Sequence, residues 1–399
     1  MARAARMKID AVDFFYLSMP KVTTDADGSQ DALLVRVQAG RHIGWGECEA
    51  SPLTCIASYV CPMSHGACRP VGESVLGQPL NEPRDIARIR ASVRFNCMDL
   101  LQAPHTFSGI EIALWDALGK MLDEPVYRLL GYKSAAPKLA YASQLFGDTP
   151  QETETKARSA RQAGFRAVKF GWVKYGHFTA AEDEAHVEAA RAGMGQDANV
   201  MIDAGQIFAQ DVAAAAERIP ALERYNALWL EEPFLPDALA AYGALAGLSP
   251  KVKIAGGEGC HSSPMALNLI DFGKVGFVQI DTGRIGGIGP AKEVADLAVA
   301  TGVTFVNHTF TSHLALSASL QPYAGLTEHR IAEYPFAPRK VALDLTSNHI
   351  MPDNDGLIRL PEAPGLGMSV NTAALEPYLQ DVEIVVAGRR LFRSGSLPV

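Results

Sequence analysis

The sequence has no apolar run that approaches the roughly 18 residues needed to span a bilayer. Its opening, MARAARMKIDAV, is basic but lacks the apolar core of a secretory signal. It has no basic stripe either, because 36 Lys and Arg residues are outnumbered by 44 Asp and Glu residues, giving a net charge of -8. These absences predict a cytoplasmic protein that binds a small molecule and neither nucleic acid nor a membrane.

The six cysteines include no Cys-x-x-Cys pair, although four of them fall between residues 48 and 68. A long intracellular chain needs no disulfide staples, so reduced thiols are expected. A structural zinc site is the weaker alternative. We find no internal repeat beyond strand–helix units and no low-complexity linker.

Residues 1–135 predict an α+β domain. DALLVRVQAG and HIGWGECEA alternate apolar and polar residues, as an antiparallel hairpin does. A following amphipathic helix is expected to have Ser108 as its N-cap, with Glu111 three residues later. Residues 48–80, rich in Pro, Gly, Ser and His, show little periodicity and predict a mobile loop.

Residues 136–355 predict a barrel. Short apolar strands alternate with Ala-rich helices, and eight candidate strands occur, the last and least regular near LTEHR at 326–330. This pattern favours a closed (β/α)₇β barrel of the TIM type over an open doubly wound sheet. Residues 356–399 are predicted to form a C-terminal segment that packs back on the first domain.

Polar side chains stand at the ends of five predicted strands: Asp203, Glu231, Glu258, Asp281 and His308. The carboxyl ends of barrel strands share one rim, so these side chains should converge near the barrel axis. Any one acid could be a helix cap or a rim ion pair, but the trio of Asp203, Glu231 and Glu258 predicts an oxygen-ligated divalent metal. With His308 as a general base, the set indicates metal-assisted proton abstraction.

These motifs resemble the enolase superfamily and, within it, the mandelate racemase subgroup that includes acid-sugar dehydratases. VRVQAGRHIGWGECEASP and the IALWDALGK helix resemble that family's N-terminal capping domain. The barrel motifs occur in the family's order over nearly the whole chain. The resemblance implies that Asp203, Glu231 and Glu258 are Mg²⁺ ligands, with Glu231 as the first acid of the LEEP motif.

The resemblance also implies catalytic roles. Asp281 and His308 match an Asp-His dyad, and Glu328, twenty residues after the histidine, matches an electrophilic glutamate on the eighth strand. Lys169 matches the first lysine of a Lys-x-Lys motif and is expected beside the substrate carboxylate and the metal. Gly171 stands where racemases carry the second lysine, the base for the opposite face of the substrate.

This departure favours a dehydratase. His308 would remove the proton α to the carboxylate of an aldonate or aldarate, with Asp281 fixing its tautomer. Lys169, Glu328 and Mg²⁺ would stabilise the resulting charge. The imidazolium would then expel the β-hydroxyl as water, giving a 2-keto-3-deoxy acid.

Other interpretations stay open. A racemase or epimerase could use Lys174 or Tyr175 on the far face, a Schiff-base aldolase could use Lys169, and a binding or scaffold protein could have an inactive site. The glycine-rich segment 283–289 favours a turn over a phosphate cradle, and Arg284 within it could reach the site. We expect a small-molecule carboxylate substrate and a homo-oligomer.

Overall fold

The computed structural model describes residues 7–177 and 179–398, so the basic opening residues 1–6 lie outside it. The first domain is an antiparallel sheet in the order β1-β2-β3 with helices packed against it. Its strands are β1 (Ile9–Ser18), β2 (Asp31–Ala39) and β3 (His42–Cys48). Its helices are α1 (Pro52–Val60), α2 (Val71–Val75), α3 (Pro83–Asn96), α4 (Ala103–Leu122) and α5 (Val126–Leu129).

Residues 48–80 are not the loop that the sequence predicted. The helices α1 and α2 lie within this segment, and α1 begins at a proline, whose fixed φ suits a first helical turn. Cys55, Ile56, Val71 and Val75 are fully buried in the core. The prediction of a mobile loop is therefore wrong, because helices this short show too little periodicity to be recognised while their apolar residues still reach the core.

The predicted N-cap of α4 is also wrong. The helix begins at Ala103, with a proline in its first turn, so Ser108 lies inside it. The Ser108 hydroxyl donates to the carbonyl of Pro104 at 2.9 Å and accepts from the backbone N–H of Gly286 at 2.8 Å. Ser108 thus connects the first domain to a loop of the barrel.

Strand β3 and helix α4 approach closely because two glycines face the helix. A Cβ at Gly46 would lie 2.2 Å from the carbonyl oxygen of Gly109, and one at Gly44 would lie 2.0 Å from that of Ala113. Both contacts are far inside van der Waals distance. The Gly-Trp-Gly sequence in β3 therefore allows the packing that holds the end of this strand over the barrel.

The second domain is a barrel of eight parallel strands, which confirms the predicted (β/α)₇β barrel with an N-terminal capping domain. In sheet order from β10 to β4 and then β11, each strand pairs with its neighbour in parallel. The strands are β4 (Lys138–Leu145), β5 (Ala167–Gly171), β6 (Asn199–Asp203), β7 (Ala227–Glu231), β8 (Lys253–Gly256), β9 (Phe277–Asp281), β10 (Thr304–His308) and β11 (Ile331–Pro335).

Helices connect each strand of the barrel to the next. They are α6 (Pro150–Gln162), α7 (Ala180–Met194), α8 (Val212–Ala216), α9 (Ile219–Arg224), α10 (Leu239–Leu248), α11 (Ser263–Asp271), α12 (Ile288–Thr301) and α13 (His313–Leu320). Between β10 and β11 the amide of Asn307 closes the ring: its oxygen accepts from the N–H of Glu333 at 2.9 Å, and its nitrogen donates to the Glu333 carbonyl at 3.3 Å.

The barrel interior is filled by side chains from its strands. Tyr141 and Trp229 pack edge to face with ring centroids 5.6 Å apart, together with smaller residues from the other strands. The barrel is therefore a packed core and not a pore. It supports functional side chains only at its rim.

The C-terminal segment contacts both domains. After α14 (Lys340–Asp344), strand β12 (Leu357–Ile358) pairs antiparallel with β4 of the barrel. Leu379 forms an isolated bridge with Leu17 of β1, and Gly365 forms one with Pro125. The chain ends in α15 (Thr372–Leu375) and a hairpin of β13 (Glu383–Val386) and β14 (Arg389–Arg393).

All six cysteines are free thiols, as the sequence predicted. Within the two described ranges, no helix combines the length and the apolar character needed to cross a membrane.

Candidate active site

Strand register brings most of the predicted site residues to one rim of the barrel. Gly171 pairs with Asp203, and Asp203 pairs with Glu231, across β5, β6 and β7. On the other side of the rim His308 pairs with Asp281 across β10 and β9. Each of these residues ends its strand, so the side chains emerge at the same height.

Lys169 of β5 is a buried cation among carboxylates. Its Nζ lies 2.5 Å from Glu231 Oε1, 2.9 Å from Glu333 Oε1 and 3.3 Å from Asp203 Oδ2. Burial alone would lower the pKa of Lys169, but Glu231 and Glu333 outweigh it and hold the pKa well above its usual value. The ammonium is therefore charged. Trp229 Nε1 donates to the second oxygen of Glu231 at 2.9 Å.

His308 and Asp281 form a dyad. His308 Nδ1 lies 2.7 Å from Asp281 Oδ2, and the other oxygen of Asp281 accepts from the N–H of Gly283 at 2.6 Å. Because a carboxylate only accepts, Nδ1 carries a hydrogen, and Nε2 is the nitrogen that becomes basic when the ring is neutral. Burial opposes the imidazolium, but Glu258 and Glu333 raise the pKa of His308 well above its usual value.

Glu258 is held between His308 and an arginine. Its Oε2 lies 2.9 Å from His308 Nε2, and its Oε1 accepts from Arg284 Nη1 at 3.0 Å. Burial would raise the pKa of Glu258, but these cationic neighbours lower it far below its usual value. Arg284 therefore does reach the site, where it also donates from Nε to Glu49 Oε2 at 3.0 Å.

The glycine-rich segment containing Arg284 serves as a turn that docks on the first domain. Gly286 and Gly287 have φ of 104° and 110°, which residues with a Cβ rarely adopt. The N–H groups of Ile288 and Gly289, at the start of α12, donate to the carboxylate of Glu111 at 2.7 and 2.9 Å. A carboxylate of the protein thus occupies the place where a phosphate cradle would bind its anion.

The predicted electrophile Glu328 is not in the site. It lies in the turn before β11 with its side chain 82% exposed, 3.8 Å from Arg330. Because the eighth strand begins at Ile331, five residues later than predicted, the buried acid on that strand is Glu333. The prediction of Glu328 is therefore wrong. The available signal was the single acid in the apolar run IAEYP.

Glu333 lies inside the cluster and is fully buried. Its Oε2 accepts from the N–H of Thr309 at 2.8 Å and lies 3.9 Å from His308 Nε2, while Oε1 contacts Lys169. It therefore bridges the lysine side and the histidine side of the rim.

Two further acids come from the first domain and were not identified from the sequence. Glu47 is the second-last residue of β3, its carboxylate accepts from the Ser312 hydroxyl, and burial raises the pKa of Glu47 to about 7. Glu49 follows two residues later and pairs with Arg284. The acids alternating in GECEA at a strand end were the only signal for both.

The residues proposed for the opposite face of the substrate do not join the cluster. Lys174 is half exposed and pairs with Asp148 at 3.7 Å. Tyr175 is buried, with its ring stacked on Phe146 at 5.4 Å. Gly171 leaves no room for a side chain, since its Cβ would lie 2.7 Å from the Cβ of Asp203.

Asp203, Glu231 and Glu258 suit a hard cation by their chemistry, since all donors are carboxylate oxygens. Burial raises the pKa of Asp203, with Glu258 adding to the effect, and burial also raises that of Glu231. A bound Mg²⁺ would compensate this crowding of negative charge. In the part of the chain that the structure describes, no three acidic, His or Cys side chains already converge as a cage. A cation would therefore have to take Glu258 Oε2 from His308, whereas Arg284 holds the other oxygen, Oε1.

Comparison with known proteins agrees with this arrangement. Residues 18–131 match the mandelate racemase / muconate lactonizing enzyme N-terminal domain, and residues 152–374 match the enolase C-terminal domain-like family. A crystal structure described as a predicted mandelate racemase from Rhodobacter sphaeroides is 62% identical, with a TM-score of 0.94, and the alignment covers 98% of this chain and 100% of that one.

Relatives with named activities are more distant. D-galactarolactone cycloisomerase from Agrobacterium fabrum is 29% identical over 84% of this chain and 88% of its own length. D-xylonate dehydratase from Haloferax volcanii is 30% identical over 69% of this chain and 70% of its own length. With both domains matched in order, this chain belongs to the enolase superfamily, in its mandelate racemase and muconate lactonizing enzyme subgroup.

Proposed function

We propose that this chain is a dehydratase that removes the proton α to the carboxylate of a sugar acid and eliminates the β-hydroxyl as water. The observation that carries the proposal is an imidazole–carboxylate dyad beside a buried cluster of Lys169 and carboxylates, with no opposing base contributed by Gly171, Lys174 or Tyr175. Relatives named as dehydratases of D-xylonate and D-gluconate support the substrate class.

In the first half of the reaction His308 Nε2 takes the proton from the α carbon. The hydrogen bond from Nδ1 to Asp281 fixes the tautomer and stabilises the imidazolium that forms. The C–H electron pair moves into the substrate carboxylate, where negative charge grows. The charged ammonium of Lys169, fixed by Glu333 and its other partners, lies in place to stabilise that charge.

Asp203, Glu231 and Glu258 are the residues that would hold Mg²⁺. When bound, Mg²⁺ would act as a Lewis acid that stabilises negative charge on the substrate carboxylate.

In the second half the imidazolium of His308 returns its proton to the β-hydroxyl, and the C–O bond breaks as the carbon–carbon double bond forms. The enol then becomes a 2-keto-3-deoxy acid. Asp281 at Nδ1 and Glu333, whose Oε2 lies 3.9 Å from Nε2, both favour the imidazolium that holds this proton between the two steps. Inversion at the α carbon would need a second acid on the far face, and Gly171 supplies none.

The test is to incubate the protein with Mg²⁺ and a panel of aldonates and aldarates in D₂O. We expect a 2-keto acid from at least one substrate. The His308→Asn variant should lose at least about 10²-fold in rate while it still binds the metal. Deuterium appearing at C2 of unconsumed or inverted substrate, with no keto acid formed, would exclude dehydration.

An isomerase is the second candidate, because D-galactarolactone cycloisomerase is among the relatives. Both reactions begin with proton abstraction by the same dyad, and the D₂O experiment separates them by product. The Schiff-base aldolase is disfavoured, since a lysine paired with three carboxylates stays protonated and is not a nucleophile. The small-molecule carboxylate substrate, the homo-oligomer and the cytoplasmic location stay predictions.

A further inference from the structure

A chain of three charged side chains connects the capping domain to the barrel rim. Arg284 stands in the middle, with Nε 3.0 Å from Glu49 Oε2 and Nη1 3.0 Å from Glu258 Oε1. Glu49 belongs to the capping domain, whereas Arg284 and Glu258 belong to the loops after β9 and β8. The guanidinium is planar, so two carboxylates on two of its edges fix its orientation.

Glu49 is held firmly by the surrounding backbone. Its N–H donates to the carbonyl of Gly283 at 3.3 Å, and its own carbonyl contacts Nε2 of the buried His105. Gly28 approaches so closely that a Cβ there would lie 3.1 Å from Glu49 Oε1. The carboxylate is therefore a fixed anchor for Arg284 and not a mobile surface acid.

The orientation of the Glu258 carboxylate is fixed, because both of its oxygens have partners. Arg284 contacts Oε1 and His308 contacts Oε2, and the side chain of Glu258 is only 14% exposed. A cation that takes Oε2 from the histidine leaves the arginine bond on Oε1 intact. Outer partners of this kind orient a ligand and support metal affinity.

We propose that Arg284 is a positioning residue that holds Glu258 for the cation, and that Glu49 of the capping domain holds Arg284. The inference rests on the metal role of Glu258 in the proposed function. Its rival is purely electrostatic: Arg284 would repel a divalent cation, Glu49 would attract it, and neither would orient anything.

The two accounts predict opposite changes in metal affinity for Arg284→Gln, and a double-mutant cycle with Glu49→Gln tests them. The affinity for Mn²⁺ is measured without substrate, by electron paramagnetic resonance of the free ion, for wild type, Arg284→Gln, Glu49→Gln and the double variant. Positioning predicts that Arg284→Gln weakens Mn²⁺ binding roughly 10- to 100-fold. Glu49→Gln should weaken it less, and the double variant should match Arg284→Gln, because Glu49 acts only through the arginine.

Arg284→Lys separates geometry from charge. It keeps the positive charge but loses the planar fork, so positioning predicts weakened Mn²⁺ binding, whereas the electrostatic rival predicts wild-type affinity. The control is Glu293→Gln, which breaks another ion pair between the domains, with Arg90, away from Glu258. It should leave Mn²⁺ affinity unchanged, even if the melting temperature falls.

The outcomes are distinct. Tighter or unchanged Mn²⁺ binding by Arg284→Gln in a folded protein overturns the positioning role while leaving the proposed function intact. Equal losses in Glu293→Gln and Glu49→Gln also overturn it, since general loosening of the domain interface would then suffice. A wild-type protein that binds no Mn²⁺ overturns both this inference and the metal-dependent function on which it rests.

Discussion

Two buried lysines on neighbouring barrel strands have opposite surroundings. Lys169 on β5 is 4% exposed and contacts three carboxylates. Lys138 on β4 is 3% exposed, and its Nζ donates to the backbone carbonyls of Tyr323, Leu326 and His329 at 3.0, 2.8 and 2.9 Å. Burial lowers the pKa of Lys138 to about 7, whereas the carboxylates around Lys169 overcome the same burial.

Two buried histidines repeat the contrast. His308 lies among Asp281, Glu258 and Glu333, which raise its pKa against the effect of burial. His313, five residues later, accepts from the N–H of Ile350 and has its pKa lowered to about 4 by burial and by a neighbouring histidine. Lys169 and His308, which have carboxylates as neighbours, lie at the rim, where a charged group can act on a substrate. Lys138 and His313, which bond to backbone groups, hold loops in place. Burial alone does not separate these roles; the partners do.

The largest expected effect is on turnover, for Lys169, the buried lysine whose partners are carboxylates. Lys169→Met removes the cation from the three carboxylates and the stabilisation of the substrate carboxylate. We expect turnover to fall about 10²- to 10³-fold, the usual loss for one electrostatic contact to a developing charge. The measurement is 2-keto acid formation at saturating Mg²⁺. A variant that keeps a tenth of wild-type activity would contradict the assignment.

The next effect separates two glutamates on the same segment. Glu333→Gln removes a charge that contacts Lys169 and faces His308, and we expect a loss of about 10²-fold in kcat/KM. Glu328→Gln is the matched control, because that side chain is exposed and should change the rate less than twofold. The reverse order of effects would restore the assignment made from the sequence.

These two glutamates show where prediction from sequence failed. Four site residues each end a regular apolar strand: Asp203, Glu231, Asp281 and His308. The regular alternation of strands and helices is enough to predict that they lie on the rim, without knowledge of side-chain contacts. The eighth strand follows an irregular turn, and spacing from His308 alone carried the prediction five residues too early. The local apolar pattern thus located the residues at the ends of regular strands. It missed Glu333 because the eighth strand itself was predicted too early in the chain.

The capping domain shows a second limit. Glu47 and Glu49 act across a domain interface, on partners more than 200 residues away in sequence. No periodicity in β3 encodes that its end is held over the barrel; this depends on the glycines that bring α4 against the strand. Contacts between distant segments were therefore the part of the site that sequence reasoning could not supply.

A smaller effect is expected for Lys138, the buried lysine whose partners are neutral carbonyls, and it is an effect on stability. Lys138→Met removes three hydrogen bonds from a charged donor and leaves the buried carbonyl of His329 without its Lys138 partner, which should lower the free energy of unfolding by about 2 to 4 kcal/mol. Activity per folded molecule should stay within a few-fold of wild type, in contrast to Lys169→Met. Urea denaturation provides the measurement.

The control for Lys138 is Lys251→Met, at a lysine that is 78% exposed and only 4.0 Å from its acidic neighbour. A surface change of this kind should shift stability by less than about 0.5 kcal/mol. If both variants lose the same stability, the carbonyl contacts of Lys138 are not what stabilises the fold.

The smallest effect concerns pH. The pKa of His313 falls from 6.5 to about 4 on folding, mainly through burial and to a smaller degree through the neighbouring His349, so the folded state favours the neutral ring. Above pH 6.5 the residue adds no pH dependence. Between pH 6.5 and 4 the unfolded state takes up the proton first, so stability is lost as the pH falls, by about 2 kcal/mol at pH 5.

His313→Gln keeps an acceptor for Ile350 and cannot titrate, so it should lack this loss. Urea denaturation of both proteins at pH 7 and pH 5 isolates the contribution, because every other titrating group is common to the two. We expect the variant to gain about 2 kcal/mol on wild type between the two pH values. Equal pH dependence would mean that the ring is protonated without penalty, and His313 would then resemble His308 in being stabilised as a cation.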